Sequence, residues 1–93
     1  MKILKSLAMA TAVSTLALSA QADTKIGMIT TLSGGGAGLG VDVRDGFMLA
    51  IEAAGRDDVE VVIEDDQRKP ESAVQIADRM IQSEKVDIMT GII

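Results

Sequence analysis

Lys25-Ile26-Gly27-Met28-Ile29-Thr30-Thr31-Leu32-Ser33-Gly34-Gly35-Gly36-Ala37-Gly38-Leu39-Gly40 is the stretch that decides the fold. Its first part, Lys25 to Thr31, carries apolar Ile26, Met28 and Ile29 among β-compatible neighbours and predicts a strand. Gly34 to Gly40 then packs glycine at five of seven positions. Glycines tolerate backbone conformations that other residues avoid and let a main chain come close to a neighbour. Beyond Gly40 the apolar residues change to a helical spacing. Strand, glycine loop and helix in that order form the opening unit of an open α/β sheet, with the loop at the carboxyl end of the strand, where such folds place ligands.

Downstream, the pattern repeats. Val43, Phe47, Ala50, Ile51 and Ala54 share one helical face, and Gly55 stands where a left-handed residue ends a helix. Val59 to Glu64 reads as a second strand. Pro70 suits a first helical turn, and Ala73, Ile76, Ala77, Met80 and Ile81 make the buried stripe of a second helix. Val86 to Ile93 reads as a third strand. The order is β-α-β-α-β, which places the chain in the α/β class: a parallel sheet with right-handed crossovers, covered by helices.

Upstream, Met1 to Ala22 has the three parts of a cleavable secretory leader. Lys2 and Lys5 form a cationic start, Leu7 to Leu18 is uncharged and apolar, and Ala20-Gln21-Ala22 is a small-x-small cleavage pattern. The apolar part is short for a bilayer span. No cysteine near the junction can take a lipid, and no arginine pair marks the start. The expected product is soluble, exported to the periplasm and begins at Asp23. Cleavage removes two of the nine basic residues and none of the fourteen acidic ones, shifting net charge from −5 to −7. That balance leaves no electrostatic footprint for nucleic acid. The absence of cysteine excludes disulfides and thiol chemistry.

Asp23 to Ile93 is small for an independent core, and its last apolar run has no closing element to cover it. The expectation is the beginning of a longer protein: a leader over 1–22 and the first part of one lobe over 23–93.

The glycine loop admits several readings. Dinucleotide binding requires G-x-G-x-x-G, yet the third glycine position is Leu39 counted from Gly34 and Val41 counted from Gly36. Asp65 or Asp66, at the end of the second strand, keeps this reading open by resembling a ribose-binding acid. A phosphate loop fails, because Val41-Asp42 replaces the lysine and hydroxyl residue. Small-molecule capture would use the Thr30, Thr31 and Ser33 hydroxyls and free amides at the helix start. Equally, the glycines could make a tight turn whose hydroxyls satisfy local backbone.

Glu64-Asp65-Asp66 does not read as a metal cluster, since neighbouring strand residues face opposite ways and the chain has no histidine. These acids suit a strand end, a solvated loop and the start of the next helix, with Gln67-Arg68-Lys69 continuing the polar connection. Phe47, the only aromatic, belongs to the helix stripe. No nucleophile is paired with a base, so no hydrolase or transferase site can be assembled.

Ile26 to Gly40, Val59 to Asp66, Pro70-Glu71-Ser72-Ala73 and Ile88-Met89-Thr90-Gly91, in this order and spacing after a leader, resemble the start of the type I periplasmic solute-binding proteins of ABC importers, the leucine/isoleucine/valine-binding group. The resemblance covers nearly all of 23–93. It implies a two-lobed protein that closes on an amino acid or related small carboxylate and presents it to the permease membrane subunits, with no cofactor and no chemical step. It also implies that the loop from Ser33 and Gly34 to Gly40 lines the cleft. Leu39 stands where relatives often place an aromatic ring, keeping the apolar contact without the stacking face. Ile93 begins the segment whose serine and threonine groups hold the ligand carboxylate in relatives. The same fold serves sensors and receptors as a ligand-binding domain. A nucleotide-dependent oxidoreductase is the more distant alternative.

Overall fold

The structure, a computed structural model, describes residues 23–92; the leader, Met1 to Ala22, and Ile93 lie outside the described residues. Five elements follow the expected order: β1 (Thr24–Thr30), α1 (Ala37–Ala53), β2 (Val59–Asp65), α2 (Pro70–Gln82) and β3 (Ile88–Thr90). The strands form one parallel sheet in the order β2-β1-β3. With β1 central, Thr30 lies opposite Asp65 of β2, and Met28 opposite Thr90 of β3.

The two helices lie on opposite faces of the sheet. Ile29 belongs to the cluster formed with Ile76 and Met80 of α2, whereas the hydroxyl of its neighbour Thr30 donates to the Gly40 carbonyl of α1. Successive strand residues face opposite ways, so one helix covers each side. Val62, Ala73, Ala77, Val86 and Met89 complete the α2 layer.

Helix ends obey local chemistry. Pro70 opens α2, where its missing N–H costs nothing. At the far end of α1, Gly55 has φ 68°, its amide donates to Glu52 O at 3.0 Å, and the Arg56 amide donates to Ile51 O at 3.3 Å. These paired bonds satisfy carbonyls that the helix leaves free.

Three expectations shift in detail. Ala50 and Ala54 are exposed, while Val43, Phe47 and Ile51 of the same stripe are half-buried. Ile81 is 52% exposed rather than buried; the sheet meets α2 along the narrower line Ala73, Ile76, Ala77 and Met80. The third strand is shorter than 86–93. Val86 is drawn to α2 by its amide bond to Met80 O (3.1 Å), and the Asp87 amide donates to Lys25 O at 2.7 Å before the strand begins.

Candidate functional site

The carboxyl ends of β1 and β2 lie side by side, and two loops leave them: Thr31–Gly36 into α1 and Asp66–Lys69 into α2. Thr30 and Thr31 are buried, 0% and 2% exposed, because the first turn of α1 sits on them. That approach depends on Gly40. A Cβ at this position would lie 1.6 Å from the Thr31 carbonyl oxygen, and main chain cannot step aside as a flexible side chain can. The Thr30 hydroxyl closes the contact by donating to Gly40 O at 3.2 Å.

Two adjacent carboxylates tie the loops together. Asp65 Oδ1 accepts from the Leu32 amide and from the Gln67 amide, each at 2.8 Å, and Oδ2 accepts from the Ser33 hydroxyl at 2.6 Å. Asp66 Oδ1 accepts from the Thr31 hydroxyl at 2.7 Å and from the Arg68 amide at 2.8 Å. Each acid therefore grips its own loop and the neighbouring one. The Ser33 hydroxyl, followed by the Leu32 and Gln67 amides, stabilises the charged form of Asp65 and holds its carboxyl below the usual range. Asp66 is only 5% exposed, and its two accepted hydrogen bonds satisfy a polar group that burial removes from water. Glu64 points elsewhere and pairs with Arg79 of α2 at 2.8 Å.

Two recesses open on this edge. The smaller, about 170 Å³, is lined by Thr31, Gly36, Leu39 and Arg68. The larger, about 490 Å³, is lined by Asp66, Arg68, Lys69, Pro70, Ala73 and Ile92, a size that suits a small metabolite. Of the residues expected to face a ligand, Ser33 and Gly34 are exposed on the loop and Leu39 is 61% exposed on the first turn of α1. Leu39 reaches a recess. Ser33 has its proton committed to Asp65, leaving only oxygen lone pairs to offer. Ile93 lies outside the described residues.

The hydroxyls of Thr30, Thr31 and Ser33 thus serve the scaffold, but only Thr30 does so on backbone as the turn reading expected; Thr31 and Ser33 donate instead to the Asp66 and Asp65 carboxylates of the neighbouring strand end. Asp65, the acid that kept the dinucleotide reading open, has both oxygens engaged by protein donors. Among the described residues, no group of three or more histidine, cysteine or acidic side chains is placed to hold a metal ion. Sequence reasoning treated Asp65 and Asp66 as a solvated strand end and Arg68 as part of a polar connection. The available signal was a hydroxyl-rich end on one strand and an acidic end on another, which a parallel register brings together.

A family model described as periplasmic binding protein matches residues 23–93. The chain belongs to the periplasmic binding protein family. Two solved structures share the fold of this periplasmic binding protein chain, each with a TM-score of 0.67. One is an ABC transporter substrate-binding protein from Sphaerobacter thermophilus, 31% identical, covering 71% of this chain. The other is a solute binding protein of an ABC transporter from Rhodopseudomonas palustris BisB5, solved in complex with 3,4-dihydroxybenzoic acid, 27% identical over the same share. The chain spans 19% of the length of each. No curated protein matches it. Among the described residues, no helix is long and apolar enough to cross a membrane.

Proposed function

We propose that this chain is the first part of the substrate-binding component of an ABC importer. It captures an amino acid or related small carboxylate in the periplasm and delivers it to the permease membrane subunits, with no reaction on the way. The observation that carries this reading is the carboxyl edge of the sheet in a chain of this family. A glycine loop there is held in place by Asp65 and Asp66, and Leu39 lines the smaller of the two recesses. Export by a leader over 1–22 and a soluble product beginning at Asp23 belong to the same proposal; the family match begins at that residue. Fixed loops suit capture, because a preordered surface gives up less freedom when a ligand arrives.

The choice of solute is open between two classes. The leucine-binding resemblance favours branched-chain amino acids. The dihydroxybenzoate complex of one structural neighbour favours aromatic acids, while Leu39, apolar but without a stacking face, selects neither class. The test is thermal unfolding of the full-length protein with leucine, isoleucine, valine, benzoate and 3,4-dihydroxybenzoate. A solute present at a hundred times its Kd stabilises the folded form by about 2.7 kcal/mol, a readily measured rise in Tm. A flat response to every member of the panel contradicts the proposal.

A further inference from the structure

We propose that Asp66 is a positioning residue for solute capture: its carboxyl pins the turn after β2 to Thr31 at the root of the glycine loop, so that a solute meets both loops in one fixed arrangement. The inference rests on the solute-capture reading above and names the residue that sets the geometry of its loops.

Asp66 is bonded through backbone and side chain alike. Its amide donates to Thr30 O at 3.1 Å, and its carbonyl accepts from the Lys69 amide at 2.9 Å. Its Oδ1 accepts from both the Thr31 hydroxyl and the Arg68 amide. One residue thus joins the end of β1 to a four-residue turn.

That turn needs a hold. Gln67 and Arg68 have φ 55° and 60°, a left-handed pair that residues with a Cβ adopt at a cost. Turns with positive φ at both central positions usually carry glycine, asparagine or aspartate there, and this one carries none of them. Such a shape persists where neighbours over-determine it. Asp65 Oδ1 holds the Gln67 amide and Asp66 Oδ1 holds that of Arg68.

What the turn carries makes its shape matter. Thr31 lines the smaller recess, Asp66 the larger, and Arg68 both. The Thr31 hydroxyl, the Asp66 carboxyl and the Arg68 amide therefore form a bonded bridge from one recess to the other. Gly40 sits on the Thr31 carbonyl, with Leu39 beside it. Both side chains of the bridge are buried, Thr31 at 2% and Asp66 at 5% exposure, so breaking it leaves polar groups shut away from water. Loops that hold the binding shape for only a tenth of the time raise the apparent Kd about tenfold, whichever solute arrives.

The experiment is titration calorimetry on the full-length protein with L-leucine, L-isoleucine, L-valine, benzoate and 3,4-dihydroxybenzoate, at a temperature where every variant is folded. Asp66→Ala is expected to weaken each solute that wild type binds by one common factor of about ten, and Thr31→Val by about five. Asp66→Asn, which keeps an accepting oxygen, is expected to stay within about threefold of wild type. Combining Thr31→Val with Asp66→Ala is expected to add nothing to Asp66→Ala alone, because both remove one bridge. Met80→Ala, destabilised at a site away from both loops, is expected to keep its Kd within about twofold, which separates positioning from general stability. Amide exchange in Thr31→Val is expected to rise at Gln67–Lys69 as well as in the substituted loop. Thr31→Val also decides the matter if Asp66→Ala does not fold. An unchanged Kd in Thr31→Val, an equal loss in Met80→Ala, or a loss confined to one solute among several bound overturns the positioning role and leaves solute capture standing. Binding of none of the five by wild type overturns both.

Discussion

The two helices cover opposite faces of one sheet, yet they are fastened by different physics. α2 is held along its length by apolar burial: Met80 is 0% exposed, Ile76 7%, and Ala73 and Ala77 pack beside them. α1 has Gly40 as its one buried residue, while Leu39, Met48 and Leu49 stand exposed. It is docked at its first turn, where main chain meets main chain at Thr31 and the Thr30 hydroxyl closes on Gly40 O. The teaching is that α1 is fixed at the end that carries the glycine loop. Contact at that end sets where Leu39 and the loop stand, whereas α2 contributes the buried apolar side chains Ile76 and Met80.

Substitutions can break this contrast in order of expected size. Met80→Ala in the full-length protein is expected to cost about 2–5 kcal/mol in urea unfolding, from lost burial and a residual cavity. Gly40→Ala is expected to cost about 1–3 kcal/mol by overpacking against the Thr31 carbonyl, and to raise amide exchange in the first turn of α1 more than in α2. Uniform exchange changes in both helices would remove the distinction. Leu49→Ser, on the open face of α1, is expected to stay within about 0.5 kcal/mol of wild type.

Acid sharpens the same picture. Hydrogen bonds from Ser33, Leu32 and Gln67 favour the charged form of Asp65, so its folded pKa lies below its unfolded one. The resulting stabilisation is fully present above the unfolded value, near about 3.9. It is lost as pH falls through the lower folded value. Urea midpoints measured from pH 7 down to pH 2.5 should therefore decline less steeply at the acid end for Asp65→Asn than for wild type. Parallel acid limbs would mean that the cross-loop bonds contribute nothing in solution.

Much of this architecture could be read from local pattern. Element order follows from alternating β-branched runs and helical stripes, and Gly55 and Pro70 mark helix ends because each obeys a rule acting within a few residues. Burial was harder to read. Ile81 and Ala50 fit an apolar stripe, but how wide a strip of helix the sheet covers is decided by packing between elements. The cross-loop bonds were least legible. Ser33 reaches Asp65 and Thr31 reaches Asp66 across more than thirty residues, and only the register that sets Thr30 against Asp65 makes them neighbours. The same distance hid Arg68, whose place beside Leu39 depends on two loops meeting.

The account turns on the carboxyl edge of the sheet being the surface that holds solute. Amide hydrogen exchange of the full-length protein, with and without the solute that stabilises it most, reads that surface directly. The expected result is added protection in Ser33–Gly40 and at Gln67–Lys69, with little change at the opposite end of the sheet, around Asp23–Lys25 and Asp57–Val59. Protection that appears elsewhere while both loops exchange as before would contradict it.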